Sequence, residues 1–271
     1  MKKQLFIILI LITSAKASYS QNNKAYLKEH ALPISKFDSL SSQIYEQINQ
    51  YQLIMLGEIH GTNEPVNLLD GLASLLTKYG DSVQVGFEIP PNQMATFLKK
   101  RTSKSILASE FFSYPSGDGR ASNAWYKTMA NLNKNKQVEI FFFDNNTGQS
   151  GYSDSIMFVN IKAKMIAHPT WKTITICGSM HNRILPYEGQ MKIGDYLILD
   201  KDLNIADKFC SLNLEFEGGE TLWNEFKPMP SFYSSLAYDE YLFLYPKGTN
   251  EPYHGIFFTR NFTKSESAVV K

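Results

Sequence analysis

The sequence predicts an α/β protein: a largely parallel central sheet flanked by helices, with additional β strands toward the C-terminus. Three observations predict it. Short apolar runs alternate with helical patterns as far as residue 182, the order that builds βαβ units and a parallel sheet. The tetrapeptide Gly-x-x-His occurs twice, as Gly57-Glu58-Ile59-His60 after Leu53-Ile54-Met55-Leu56 and as Gly178-Ser179-Met180-His181 after Ile174-Thr175-Ile176-Cys177. Four apolar runs end in ionisable side chains, and the C-terminal edge of a parallel sheet is where α/β proteins place their ligands.

The elements follow in order. Residues 22–34 form a polar lead-in. Ser39 to Tyr51 carries Leu40, Ile44 and Ile48 at helical spacing, with serines available as caps. Leu53 to Leu56 is the first core strand. Gly61-Thr62-Asn63 makes a turn, and Pro65 suits the first turn of a helix. Leu68, Leu69, Leu72, Leu75 and Leu76 give that helix a core face to about Tyr79, where Gly80 stops it. Val83 to Glu88 is the second strand. Pro90-Pro91 opens a helical stretch through Met94, Phe97 and Leu98, continued over residues 103–113. Tyr114 to Arg120, with Pro115, Gly117 and Gly119, is irregular and long enough to overhang a site. Ala121 to Leu132 is helical, with Trp125, Tyr126 and Met129 at core spacing. Val138 to Phe143 is the third strand and delivers Asp144 to a turn, Asp144 to Gly148. Ser153 or Asp154 can cap a helix to about Ala167. Thr173 to Cys177 is the fourth strand. Beyond His181, Tyr196 to Leu199, Phe209 to Phe216, Tyr241 to Tyr245 and Ile256 to Arg260 read as strands, either antiparallel edge strands or a small β subdomain. Gly218 to Tyr233 carries no assignable pattern.

The chain has 271 residues, 43% hydrophobic and 20% charged, enough to bury a large core. Residues 1–20 read as a secretory signal: Lys2 and Lys3, an apolar run from Leu5 to Ile12, then Ala15, Ala17, Ser18 and Ser20. The run is too short to span a bilayer, and no Cys follows it to take a lipid anchor. An uncleaved N-terminal anchor is the alternative. The expectation is a secreted or periplasmic protein, one α/β domain over residues 21–271, with no stable membrane insertion after cleavage. Net charge is +1 for the whole chain, and without the first 20 residues it is −2, from 24 basic and 26 acidic side chains. No block of like charge recommends a nucleic-acid or anionic-membrane surface. Cys177 and Cys210 are either joined, as an exported protein allows, or buried as free thiols.

The chemistry concentrates at the strand ends. The chain has five histidines, and His60 and His181 share one context. Glu58 and His60, two apart, share a face of an extended segment, and the preceding Gly57 lets the backbone turn. Glu88 ends a mostly apolar strand, where a carboxylate marks a wet sheet edge or a functional cleft. Two imidazoles beside carboxylates make an acid/base pair for hydrolysis and equally a ligand set for a divalent metal. Asp144 reads as a turn or cap residue or a substrate contact. Arg120 reads as a surface salt bridge or a bidentate clamp for an anionic group. His30, His168 and His254 are expected to be structural or surface residues. The chain contains no Gly-x-Ser-x-Gly elbow, P-loop, dinucleotide fingerprint or His-Glu-x-x-His motif.

Leu56-Gly57-Glu58-Ile59-His60-Gly61-Thr62 resembles the opening motif of the erythromycin esterase-like superfamily, which also holds the haem-binding ChaN lipoproteins and the TIKI/TraB metalloproteases. Gly86-Phe87-Glu88, Phe143-Asp144, Asp154 to Met165 and Ile176 to Asn182 resemble its later landmarks, in order, over roughly residues 50–182. The resemblance implies an α/β fold and a cleft built from Glu58, His60, Glu88 and His181. In the esterase branch the residue matching His60 activates water. In the TIKI branch the paired motifs are linked to a divalent metal, which makes Glu58, His60, Glu88 and His181 the ligands. In the ChaN branch the function is haem binding. The chain is shorter than typical macrolide esterases, which argues against a macrolide substrate. The expected function is a hydrolase of ester or peptide bonds acting on a small-molecule or peptide substrate, with a haem- or iron-binding uptake protein as the alternative. A non-catalytic interaction domain is the third possibility.

Overall fold

The computed structural model describes residues 25–113, 119–145, 153–221, 224–229 and 231–268. The leader expected over residues 1–20 lies outside the described residues, as do residues 114–118 of the expected overhang and 146–148 of the expected turn. The strands are β1 (Leu32–Pro33), β2 (Leu53–Glu58), β3 (Val83–Phe87), β4 (Val138–Phe142), β5 (Lys172–Gly178), β6 (Phe209–Glu220), β7 (Glu225–Phe226), β8 (Glu240–Leu244) and β9 (Gly255–Phe262). They form one sheet in the order β1-β8-β9-β6-β2-β5-β3-β4, with β7 paired to β6. The segment from β4 through β3, β5, β2 and β6 to β9 is parallel throughout. Only β8, β1 and β7 run antiparallel to their neighbours.

The helices are α1 (residues 25–30), α2 (Ser42–Ile48), α3 (Glu64–Lys78), α4 (Ala95–Lys100), α5 (Ser103–Leu107), α6 (Glu110–Ser113), α7 (Asn123–Leu132), α8 (Ser153–Ala167) and α9 (Ile193–Leu199). Every residue of β2 and β3 is buried. A parallel sheet covered on both faces asks for such continuous apolar runs. Along β2 the side chains alternate. Ile54 and Leu56 join a core with Leu72, Phe87 and Trp125, while Leu53 and Met55 join a second core with Phe141, Phe143 and Met157. Among the described residues no helix is long and apolar enough to cross a membrane.

Four expectations need correction. Tyr196 to Leu199 is the end of helix α9, not a strand. Ile193 and Leu197, four apart, are both fully buried in the second core, so the helical period wins over the β-rich local composition. The lead-in is part of the fold rather than a tail: Leu27 is fully buried against β8 and β9 residues, and Leu32–Pro33 forms the sheet edge with β8. The helix expected over residues 103–113 breaks into α5 and α6 around Ser109, whose buried hydroxyl accepts a hydrogen bond from the Phe97 amide at 3.1 Å. The strands after His181 build no separate subdomain; β6 and β9 extend the parallel sheet.

Cys177 and Cys210 are free and fully buried. They lie on β5 and β6, on opposite sides of β2. Two ladder spacings separate those strands by about 9.5 Å, beyond the roughly 7 Å a disulfide spans. Burial pushes both thiols up, away from the reactive thiolate. Native protein should therefore resist thiol reagents, with two equivalents reacting after denaturation, counted by mass spectrometry; modification of either Cys in the folded protein would contradict this packing.

Candidate active site

Strands β2, β5 and β3 end side by side, with Glu58 opposite Gly178 and Phe87 opposite Ile176. Glu88, one residue past β3, keeps the ladder through its amide to the Ile176 carbonyl at 3.2 Å. Glu58, His60, Glu88 and His181 therefore meet at one edge although the polymer separates them widely.

Each imidazole is held by a carboxylate. His60 Nδ1 lies 2.6 Å from Oε1 of Glu58, a side chain with no exposure. His181 Nδ1 lies 2.8 Å from Oδ1 of Asp154, in the first turn of α8, and Lys192 Nζ holds the other Asp154 oxygen at 3.3 Å. A carboxylate facing Nδ1 places the proton there, so a neutral ring presents Nε2 as a base. Both rings keep about a quarter of their surface open, 26% and 27%. The rings also share one spot: a Cβ built on Gly178 would stand 3.4 Å from His60 Cε1, 3.5 Å from its Nε2 and 3.6 Å from His181 Cδ2.

Glu88 sits between them. Its Oε2 accepts the Gly178 amide at 2.7 Å, and its Oε1 lies 3.7 Å from His181 Nε2 and 3.1 Å from Arg120 Nη1. The same guanidinium nitrogen donates to the Glu88 carbonyl at 2.8 Å and to Asp144 Oδ2 at 3.2 Å. Arg120 and Asp144, the two expected substrate contacts, are thus tied into the ends of β3 and β4. Burial alone would lower the pKa of His60, but the Glu58 carboxylate, helped by Glu88 and opposed by Arg120, brings it above the ordinary 6.5. For His181 the same contest, between burial and Asp154 with Glu88, also ends above 6.5.

Two further pieces support this edge. Asn182 is fully buried, donates to the Leu212 carbonyl at 2.9 Å, and fills the space where a Gly57 side chain would stand, its Oδ1 2.7 Å from that Cβ position. Residues 263–268 cross the loops that follow both His60 and Arg120. Ser265 N–H donates to the Gly61 carbonyl at 2.8 Å, Glu64 accepts the Thr263 amide at 2.9 Å, and the Asn123 amide donates to the Glu266 carbonyl at 2.7 Å. Sequence reasoning missed Asp154 as an imidazole partner, because an acidic residue opening a helix reads as its cap. It missed Lys192 and residues 263–268 because nothing local marks a contact across the fold. Asn182 carried a signal, its place directly after the second His.

For the divalent metal that the paired motifs and their resemblance suggest, the donors left without a partner are Nε2 of His60, Nε2 of His181 and the buried Glu58 Oε2. Glu58 Oε1 is bound to His60, and Glu88 is spent on an amide and on a guanidinium that already supplies the positive charge. Among the described residues no group of three or more His, Cys, Asp and Glu side chains is arranged to hold a metal. The remaining histidines lie elsewhere. His254 accepts the Ser211 amide through Nδ1 at 3.0 Å, and burial pushes its pKa down to about 4, so it stays neutral. His168 tilts against Trp171, and the exposed His30 stacks on Tyr26.

The glycines give a discriminating pair of substitutions. At Gly178 an added methyl meets both rings at ordinary contact distance, so Gly178→Ala should fold with a melting temperature near that of the parent yet lose most activity. Gly57→Ala drives a methyl into buried Asn182 and should cost about 1–3 kcal/mol. Equal stability of the two variants in urea melts would contradict this packing.

No protein-family model matches the chain, and no curated protein matches it in sequence. Solved structures do match in fold. A Bacillus cereus protein superposes over 92% of this chain and 99% of its own at a TM-score of 0.67, with 9% identity. An erythromycin esterase in its open conformation covers 86% of this chain and 81% of its own, with a TM-score of 0.48 and 9% identity. The haem-binding ChaN of Campylobacter jejuni covers 65% of this chain and 86% of its own, with a TM-score of 0.43 and 12% identity. At these identities the likeness is one of fold, and chemistry has to be argued from the site itself.

Proposed function

We propose that the chain is a hydrolase that activates water with His60, oriented by Glu58, and protonates the leaving group through His181, oriented by Asp154. One observation carries the reading: two imidazoles, each with Nδ1 fixed by its own carboxylate, meet over Gly178. This is the arrangement that acid/base hydrolysis needs, a base and an acid with pKa values near the working pH. Glu88 and Arg120 fix the floor and its charge. The substrate class is a small-molecule or peptide ester or amide, and the expected leader makes the site of action periplasmic or extracellular.

The pH dependence follows from the raised imidazoles. A base must be unprotonated, so kcat/KM on an ester substrate should rise with an acid limb above pH 6.5, the ordinary imidazole value, and fall again as the acid loses its proton. The stability contribution has the opposite sense. The Glu58–His60 and Asp154–His181 pairs stabilise the fold fully below 6.5 and lose that contribution as pH rises through the raised values. Glu58→Gln should move the acid limb down. A pH profile flat between 5 and 9 on every ester and peptide of a broad panel, on the order of the range where imidazoles titrate, would sink the proposal.

The same partly open imidazoles support one second reading, ligation of haem iron through Nε2. A haem titration followed by absorbance separates the two: a ligation spectrum lost in His60→Ala and His181→Ala favours binding, and an unchanged spectrum removes it.

A further inference from the structure

Two residues beyond His181, the guanidinium of Arg183 lies over the ring of Tyr187 at 4.9 Å and over that of Tyr253 at 5.7 Å. The Tyr253 hydroxyl donates to the Ser179 carbonyl at 2.8 Å. Cation and ring are thereby fastened to the loop that carries His181. A guanidinium held beside aromatic rings, with one N–H on the Tyr253 hydroxyl, keeps further N–H groups in its plane, the kind of donors that grip a carboxylate or phosphate. Arg120 is already neutralised by Glu88 and Asp144, and Arg260 by Glu217 and Asp239, whereas Arg101 donates to the Ile140 carbonyl away from this edge. No carboxylate of the described residues pairs with Arg183, whose guanidinium donates a hydrogen bond to the Tyr253 hydroxyl. The guanidinium keeps its positive charge without a carboxylate beside it, and a bound oxyanion supplies that counter-charge.

We propose that Arg183, braced by Tyr187 and Tyr253, forms an anion subsite beside His181 that selects substrates carrying a carboxylate or phosphate near the scissile bond. The selection of substrates rests on the hydrolase reading; the anion subsite does not. Two measurements keep them apart. The first compares p-nitrophenyl butyrate with p-nitrophenyl hemisuccinate on the parent, Arg183→Gln and Arg183→Lys. Arg183→Gln should raise KM for the anionic ester at least about tenfold more than for the neutral one, with kcat for the anionic ester little altered, and Arg183→Lys should recover part of the loss. The second measures succinate and phenyl phosphate binding by calorimetry, independent of turnover, and distinguishes carboxylate from phosphate. If neither ester turns over but an anion binds the parent and not Arg183→Gln, the subsite stands and the hydrolase reading falls. If both esters respond equally to Arg183→Gln, or if neither anion binds the folded parent, the subsite is overturned.

Discussion

His60→Ala should lower kcat/KM by about 10²–10⁴-fold while leaving the melting temperature within a few degrees of the parent. The ring is 26% exposed and stands at a strand end rather than in either core, so truncation opens no large cavity. What it removes is the base. It also leaves Glu58 without its partner: this carboxylate has no exposure, and its Oε2 already lacks a hydrogen bond. A buried carboxylate stripped of its cation costs stability, which accounts for the few degrees lost. Glu58→Gln in the His60→Ala background should recover that stability without recovering activity. Kinetics on the best panel substrate with parallel thermal melts checks both halves. Activity retained within about threefold in folded His60→Ala would remove His60 from the chemistry.

The second large effect is on the fold. Trp125 is the largest fully buried side chain, its ring 5.4 Å from that of Phe87 in the core beneath the Arg120 loop. Trp125→Ala should destabilise by about 3–5 kcal/mol, enough to unfold much of a marginally stable protein at growth temperature. Its Nε1 is buried with no partner. Trp125→Phe therefore exchanges a smaller cavity against relief of an unpaired donor and should cost much less than the alanine variant. Urea titrations of the two give the comparison, and a Trp125→Ala cost under about 1 kcal/mol would mean that the surrounding helices collapse into the space.

The parallel half of the sheet is legible in the sequence because burial on both faces leaves mostly apolar, β-branched runs at Leu53, Val83, Val138 and Thr173. Glu58, His60, Glu88 and His181 are legible for a related reason. Strand ends in parallel register share an edge, so residues that follow strands can be placed without knowing the helices. Asp154 is on the opposite footing. Its contact with His181 depends on how α8 packs against the sheet, and its local context offers a cap. The expected strand at Tyr196 to Leu199 fails because four β-prone residues are too short a window to expose a period of 3.6, which appears only once Ile193 is included. The lead-in hides its role in the same way, with Leu27, Ala31 and Ile34 scattered among polar residues yet all buried. Arg120 and Asp144 show the limit of residue type alone. Either could face substrate, and their mutual contact at 3.2 Å, with Glu88 between strand and guanidinium, is a matter of geometry.

The central claim is that two imidazoles act on one bond as a unit. The most direct measurement is the kinetic cycle of His60→Ala, His181→Ala and the double substitution on one ester substrate. Each single change should cost about 10²–10⁴-fold, and the double change no more than about tenfold beyond the worse single. Losses that multiply in full, or a double variant that keeps parental activity, would contradict the claim.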